Sequence, residues 1–325
     1  MSLTDKLRAA GYDAVAIVGP TASGKTGLSV ALASELNGEI ISCDSMQIYR
    51  GMDIATAKVT EEEMKGIPHH LIDICDPSRI YSCADYASDA TRAAEEIISR
   101  GRLPIFCGGT GLYLESVMRG GYSEECVSDM SLRAELSEYA KKNGNTALHK
   151  MLFDIDPDAA ESIHENNVKR VIRAIEIAKC SGKTKTEHDR ENTELSGMRI
   201  FVISLNYEDR QTLYSRIEKR VDMMLSQGLI CELEKLMADD SFMNNTTAVQ
   251  AIGYKEFFPY FRDEATLDSC VEQLKCATRR YAKRQLTWFS RREYAHTLWC
   301  DAEGEQKSAQ TLLSDALSLI DVACS

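Results

Sequence analysis

The sequence predicts an α/β protein with a parallel sheet core, a helical insertion and a helical C-terminal region. Three observations carry that prediction. The first is Ala14–Thr26, AVAIVGPTASGKT, where an apolar, partly β-branched run stops at Gly19 and helical spacing resumes at Leu28. The second is that the layout recurs. Glu39–Cys43 and Leu103–Cys107 are apolar runs, each closing in an Asp- or Gly-containing turn before helical patterning. The third is a change of texture: from Gly120 to Gly197 nothing reads as a buried strand, and Met198–Leu205 then restores one. The chain therefore divides into a first part of the core (1–119), an insertion (120–197), and a return strand with a helical C-terminal region (198–325).

Taken in order, Gly19-Pro20-Thr21-Ala22-Ser23-Gly24-Lys25-Thr26 fits G-x-x-x-x-G-K-[ST] at every fixed position. Gly19 and Gly24 let successive N–H groups turn inward at the positive end of the next helix, a cradle for phosphate oxygens. Lys25 adds a point charge for the phosphate furthest along, and Thr26 a hydroxyl for Mg²⁺. The core is thus P-loop NTPase-like, and its ligand a di- or triphosphate. A Gly-rich turn that binds nothing is the alternative, and the flanking strand and helix weigh against it.

Helix 28–37 stops at Asn37-Gly38, a left-handed cap signal, and the second strand leads to Asp44-Ser45. Met46–Pro77 reads as a loop with weak strand character at His70–Ile74, and 86–100 as a helix. The third strand ends in Gly108-Gly109-Thr110-Gly111 before helix 112–118. Helices are predicted at 131–142, 145–152, 157–163 and 167–180 in the insertion, then at 208–226, 228–238, 248–258 and 266–292. Thr297–Cys300 reads as a last strand and 306–323 as an amphipathic helix.

Composition narrows the function. The 325 residues are 44% apolar and 27% charged, with no membrane-length apolar run and no signal-peptide core, so a cytoplasmic enzyme is expected. Eleven cysteines without a C-x-x-C read as reduced core thiols, and without H-E-x-x-H a transition-metal site has no support. A net charge of −12, with acidic clusters at Glu61–Glu63 and Glu124–Glu125, excludes a surface that grips a polyanion everywhere. Arg279–Arg292 is the exception. It holds Arg279, Arg280, Lys283, Arg284, Arg291 and Arg292 with no acid, a local footprint for phosphates. Tyr281, Trp288 and Phe289 are interleaved there, and for the last two a core position is the simpler fate.

The phosphate cradle alone leaves the chemistry open. A nucleotide-cleaving enzyme usually has an acid at a core strand end for Mg²⁺, yet the third strand ends in Gly-Gly-Thr-Gly. Asp44 is the carboxylate at an evident strand end, on the edge where the cradle sits. There it can take a proton from an amine or hydroxyl of a second substrate, or simply cap a turn. Thr110 can hydrogen-bond the same group or cap helix 112–118. A small-metabolite kinase stays open on these residues.

Further motifs resemble the tRNA dimethylallyltransferases (isopentenyl-tRNA transferases). They are GPTASGKT (19–26), DSMQIYRGMDIATAK (44–58), HHLID (69–73), GGTGLY (108–113), KRVIRAIE (169–176), RIEKRVDMML (216–225), QAIGYKE (250–256) and TRRYAKRQLTWF (278–289). The resemblance spans nearly the whole chain in order. It implies transfer of a dimethylallyl group from dimethylallyl diphosphate to N6 of the adenosine beside the anticodon, with Mg²⁺, by an enzyme that needs no membrane and is expected to be a monomer. It also implies roles: Asp44 as general base, Thr110 positioning the amine, and Lys25 with Arg220 (Arg216 the alternative) on the leaving diphosphate. Each arginine has an alternative as a surface partner for a glutamate.

By the same resemblance, tRNA contacts fall at Asp44, Ser45, Met46, Gln47, Thr110 and Arg133; at Lys169, Arg170 and Arg173; at Gln250, Ala251, Ile252, Gly253, Tyr254 and Lys255; and at Lys283, Arg284, Gln285 and Trp288. The chain departs from the family at Asn166-Asn167 (Asn-Asp is common), Val59 (Pro is common) and Ser290 (Arg is frequent), none in the donor pocket; Arg291 and Arg292 are candidates to replace the contact at 290. Competing readings are an adenylate isopentenyltransferase, a P-loop kinase, and an RNA-binding protein with a vestigial pocket. The insertion and basic helix weigh against the first, and the retained Lys25, Thr26, Asp44 and Thr110 against the last.

Overall fold

A computed structural model of the chain describes residues 1–121, 129–191 and 195–325, so Glu124–Glu125 lies outside the described residues. The chain divides into two compact units, Met1–Met118 with Met198–Ser325, and Arg119–Gly197. The first is built on six parallel strands in the order β3-β2-β4-β1-β5-β6. These are β1 (Ala14–Val18), β2 (Gly38–Ser42), β3 (His69–His70), β4 (Leu103–Gly108), β5 (Ile200–Asn206) and β6 (Ala295–Trp299). β1 is buried at every position, as a parallel strand covered on both faces must be. Ala14, Ala16 and Val18 belong to one hydrophobic cluster, Val15 and Ile17 to another, with helices closing both faces.

Register decides where the ligand loops emerge. β4 lies between β2 and β1, with Ser42 beside Cys107 and Val18 beside Gly108. The loops after β1, β2 and β4 therefore leave the same carboxyl edge, where ligands sit in open α/β sheets. At a strand spacing of about 4.8 Å, the loops after β1 and β2 start about 10 Å apart.

Helix boundaries differ from the sequence reading by a turn or less, with informative exceptions. The helix after β1 starts at Lys25, because Gly24 is its N-cap, and ends at Leu36, with Asn37 left-handed at φ 51°. The predicted helix 248–258 is instead two 3-10 turns, Ala248–Gln250 and Lys255–Phe257, followed by Phe258–Phe261. Gly253, at φ 108°, interrupts it. The last strand runs Ala295–Trp299, and the final helix Ala309–Ala323. The helices Leu3–Ala9 and Lys185–Glu191 and the pairing of Asp301–Ala302 with Glu305–Gln306 went unpredicted. The described cysteines are free. Cys43, Cys75, Cys270 and Cys300 are buried, but Cys180 and Cys231 are exposed rather than core thiols.

The second unit packs helices Met130–Asn143, Asn145–Ile155, Pro157–Ser162 and Val168–Ser181 around Leu148, Leu152, Val171 and Ile175. Its buried Glu176 accepts Arg133 Nε at 2.8 Å, Arg173 Nη1 at 2.5 Å and the Asp129 N–H at 2.8 Å. Among the described residues no helix is long and apolar enough to cross a membrane.

Candidate active site

The loop after β1 is wound as the glycine pattern requires, with Gly24 at φ 92° and, unannounced by the sequence, Ala22 left-handed at φ 62°. Ser23 Oγ and Lys25 Nζ donate to the Pro20 carbonyl at 2.8 and 2.6 Å. Two side chains brace the loop from outside. Arg216 Nε donates to the Ala22 carbonyl at 2.7 Å, and the Thr21 N–H donates to Gln285 Oε1 at 2.8 Å. Burial pulls the Lys25 ammonium down to about 8, with Arg220 adding to the fall while Cys107 and Asp44 oppose it.

Asp44 follows β2, and its Oδ1 accepts the Met46 N–H at 2.9 Å, so the turn-capping role is real. Oδ2 has no hydrogen-bond partner among the described residues, and Asp44 lines a cavity of about 270 Å³. Thr110 docks against the same turn. Its N–H donates to the Cys43 carbonyl at 3.1 Å, and its Oγ1 accepts the Ser45 N–H at 3.2 Å. A Cβ at Gly109 would stand 1.9 Å from Gln285 Nε2, so a side chain there would have to displace the Gln285 amide.

Thr26 lines a second cavity of about 880 Å³ with Gly24, Glu63 and Arg216. Arg220 and Met224 line both cavities. Asp44 and Glu63 are the carboxylates whose charge Arg220 feels, and no hydrogen bond or ion pair claims its guanidinium among the described residues. Arg216 is spent on the loop backbone; Arg220 faces the space between cradle and carboxylate. The described residues hold no cluster of three or more His, Cys, Asp and Glu able to bind a metal. The Thr26 hydroxyl lines the same cavity as Glu63, and a hydroxyl of this kind can serve as one ligand of Mg²⁺.

The residues assigned to tRNA by resemblance divide. Ser45, Met46, Gln250, Ile252, Lys255 and Arg284 line the Asp44 cavity, and Lys169, Arg170 and Lys283 are exposed. Others are interior braces. Gln285 is 5% exposed, and its amide is divided between the Thr21 N–H and the Gly109 carbonyl. Gln47 donates to the carbonyls of Thr56 and Ala57. Gly253 and Tyr254 are buried, Ala251 is buried but still lines the Asp44 cavity, and Trp288 packs its indole on Gly111. Arg133 and Arg173 bind Glu176. Arg292 is no spare cation for position 290, since it pairs with Glu115 at 2.6 Å and lies 4.7 Å over the Trp288 ring.

Gln285→Ala leaves the Thr21 N–H and the Gly109 carbonyl unpartnered. The expected cost is about 1–3 kcal/mol, read from the denaturant midpoint, with weaker diphosphate binding.

One site residue was missed. Tyr281 lines the Asp44 cavity, and burial, then Asp44, pushes the phenol well up. The signal was periodicity, since Tyr281, Arg284, Gln285 and Trp288 fall at i, i+3, i+4 and i+7 of one helix, Leu267–Phe289.

A parallel sheet with a glycine-rich phosphate loop on an inner strand, and a carboxylate from the end of the next strand but one, defines a P-loop-like α/β enzyme. The family described as "IPP transferase" matches residues 47–293. A tRNA dimethylallyltransferase of Halalkalibacterium halodurans is 52% identical over 288 residues, covering 88% of this chain and 90% of its own. One from Bacillus subtilis is 50% identical over 287 residues, with the same coverage. Among solved structures, the full-length tRNA isopentenylpyrophosphate transferase of Bacillus halodurans superposes with a TM-score of 0.69 at 44% identity, over 95% of this chain and 96% of that one. A eukaryotic dimethylallyltransferase acting on tRNA gives 0.78 at 29% identity, over 95% and 79%. This chain belongs to the IPP transferase family.

Proposed function

We propose that the protein transfers the dimethylallyl group of dimethylallyl diphosphate to N6 of the adenosine beside the anticodon of tRNA, releasing diphosphate. The observation that carries this reading is the placement of Arg220 between the two cavities, near both Lys25 and Asp44. The diphosphate lies in the cradle of 19–26, on the loop N–H groups and Lys25. Mg²⁺, held by the Thr26 hydroxyl and the phosphate oxygens, would neutralise part of their charge. The adenine enters the Asp44 cavity as a splayed base, the way single-stranded loops are read.

The adenine N6 lone pair is delocalised into the ring, so the amine attacks weakly and gains from losing its proton. N6 bonds to C1 of the prenyl group as the C1–O bond breaks. The bonding pair leaves with the diphosphate, and the N6 proton passes to Asp44 Oδ2. Lys25 and Arg220 meet the charge that grows on the departing oxygen. Thr110, anchored to the Asp44 turn, orients the amine. A β4 that ends in Gly-Gly-Thr-Gly without an acid is consistent with this reaction, since no nucleotide has to be cleaved.

RNA phosphates are met by exposed Lys283 and Arg284 beside the cavity mouth. Lys283→Ala with Arg284→Ala is expected to weaken tRNA binding and to flatten its dependence on log salt by about 1–2 units. Labelled dimethylallyl diphosphate offered with an anticodon stem-loop or with AMP separates the acceptors: transfer to the stem-loop supports the proposal, and preferential transfer to AMP refutes it.

A further inference from the structure

Three successive backbone amides converge on one carboxylate outside the reaction site. Glu232, on the helix Leu229–Met237, accepts the N–H groups of Asp53, Ile54 and Ala55 at 3.0, 2.8 and 3.3 Å. Tyr254 Oη donates to the same carboxylate at 2.7 Å. Converging amides of this kind form an anion-binding concavity, and here the chain fills its own. Gly253 completes the joint, because a Cβ there would stand 2.6 Å from the Ala55 Cβ. From the other side Gln47 Nε2 holds the Thr56 and Ala57 carbonyls at 3.1 and 3.3 Å. Lys58 Nζ donates to the Tyr49 carbonyl at 2.9 Å and pairs with Asp53 and Asp73.

The segment held this way is a wall with two faces. Ala55 and Thr56 line the cavity that contains Asp44, whereas Ile54 and Ala57 line the one that contains Thr26. A shift of this wall displaces both substrates relative to each other, and a misplacement of about 1 Å at a reacting centre costs up to about a hundredfold in rate.

We infer that Glu232 is a positioning residue that fixes segment 53–57 as the common wall of the two cavities and so aligns the prenyl donor with the adenine. The inference rests on the prenyl-transfer reading for its consequence, but the clamp itself has readouts that do not. Oε1 serves Ala55 and Tyr254, and Oε2 serves Asp53 and Ile54. In Glu232→Gln an NH₂ group must face one of these donor pairs. Glu232→Asp keeps the charge but withdraws it by one methylene, so an effect common to both variants is geometric and not electrostatic. Tyr254→Phe removes one donor and leaves the three amides bonded.

The test measures amide hydrogen exchange at 53–55, affinity for inorganic diphosphate, and steady-state prenyl transfer in the full chain. Both Glu232 variants are expected to exchange at least about tenfold faster at 53–55, to bind diphosphate about fivefold more weakly, and to lose about ten- to a hundredfold in kcat. Tyr254→Phe, which leaves the three amides bonded, is expected to exchange at 53–55 within about threefold of wild type. Unchanged exchange at 53–55 overturns the clamp. Faster exchange with unchanged diphosphate affinity and kcat reduces Glu232 to a structural residue and overturns the positioning role. If the wild-type chain transfers no prenyl group, the functional reading fails, while exchange and diphosphate affinity still decide the inference. Should Glu232→Gln not fold, Glu232→Asp carries the same three readouts.

Discussion

Asp44→Asn is expected to lower kcat for prenyl transfer by about 10²–10⁴-fold, the range for removal of a positioned general base. The isosteric amide is the informative change, because the proposed base also caps a turn. Its Oδ1 accepts the Met46 N–H at 2.9 Å, and the carbonyl oxygen of asparagine can do the same, so the turn that carries Ser45 and Met46 survives. What is lost, under the proposed mechanism, is the acceptor for the N6 proton. tRNA affinity, measured by filter binding, is therefore expected to change by no more than about threefold, the mark of an interaction made only in the transition state. A large loss of RNA affinity with modest loss of kcat would make Asp44 a contact residue instead of a base.

Lys25→Ala has the second large effect. If Lys25 meets the leaving diphosphate as proposed, its removal is expected to lower kcat/KM for dimethylallyl diphosphate by about 10²–10³-fold. Its pH dependence follows from burial. With the Lys25 ammonium drawn down to about 8, the free enzyme carries the charge below that pH and loses it above. Diphosphate binds the charged form, so affinity is expected to be full at lower pH and to weaken as pH rises through about 8, approaching tenfold per unit. Calorimetric titration with inorganic diphosphate across that range checks the sign. Affinity in Lys25→Ala should be weak and should lose this step, and a step that persists would belong to another group.

Much of this site was legible in the sequence because strands and glycines are local signals. The run Ala14–Val18, the spacing of Gly19 and Gly24, and the strand ends at Asp44 and Thr110 need no tertiary knowledge to be placed on one edge of a parallel sheet. What escaped depends on partners distant in sequence. Arg216 and Arg220 lie one turn apart on the helix Arg210–Ser226, and only packing shows that the first is tied to the Ala22 carbonyl. Gln285, assigned by resemblance to tRNA, accepts the Thr21 amide 264 positions away. Glu232 carried no motif at all; its role rests on amides 177–179 positions upstream. The helix predicted at 248–258 failed on one residue, since apolar spacing cannot reveal that Gly253 is left-handed to let Ala55 approach.

Mass spectrometry of nucleosides from tRNA incubated with the protein, dimethylallyl diphosphate and Mg²⁺ is the most direct test. If the two cavities take a prenyl diphosphate and a splayed adenine as proposed, one product is expected: adenosine bearing a dimethylallyl group on N6, at the position beside the anticodon and absent with Asp44→Asn. Unmodified tRNA, or the same product formed undiminished by Asp44→Asn, would contradict it.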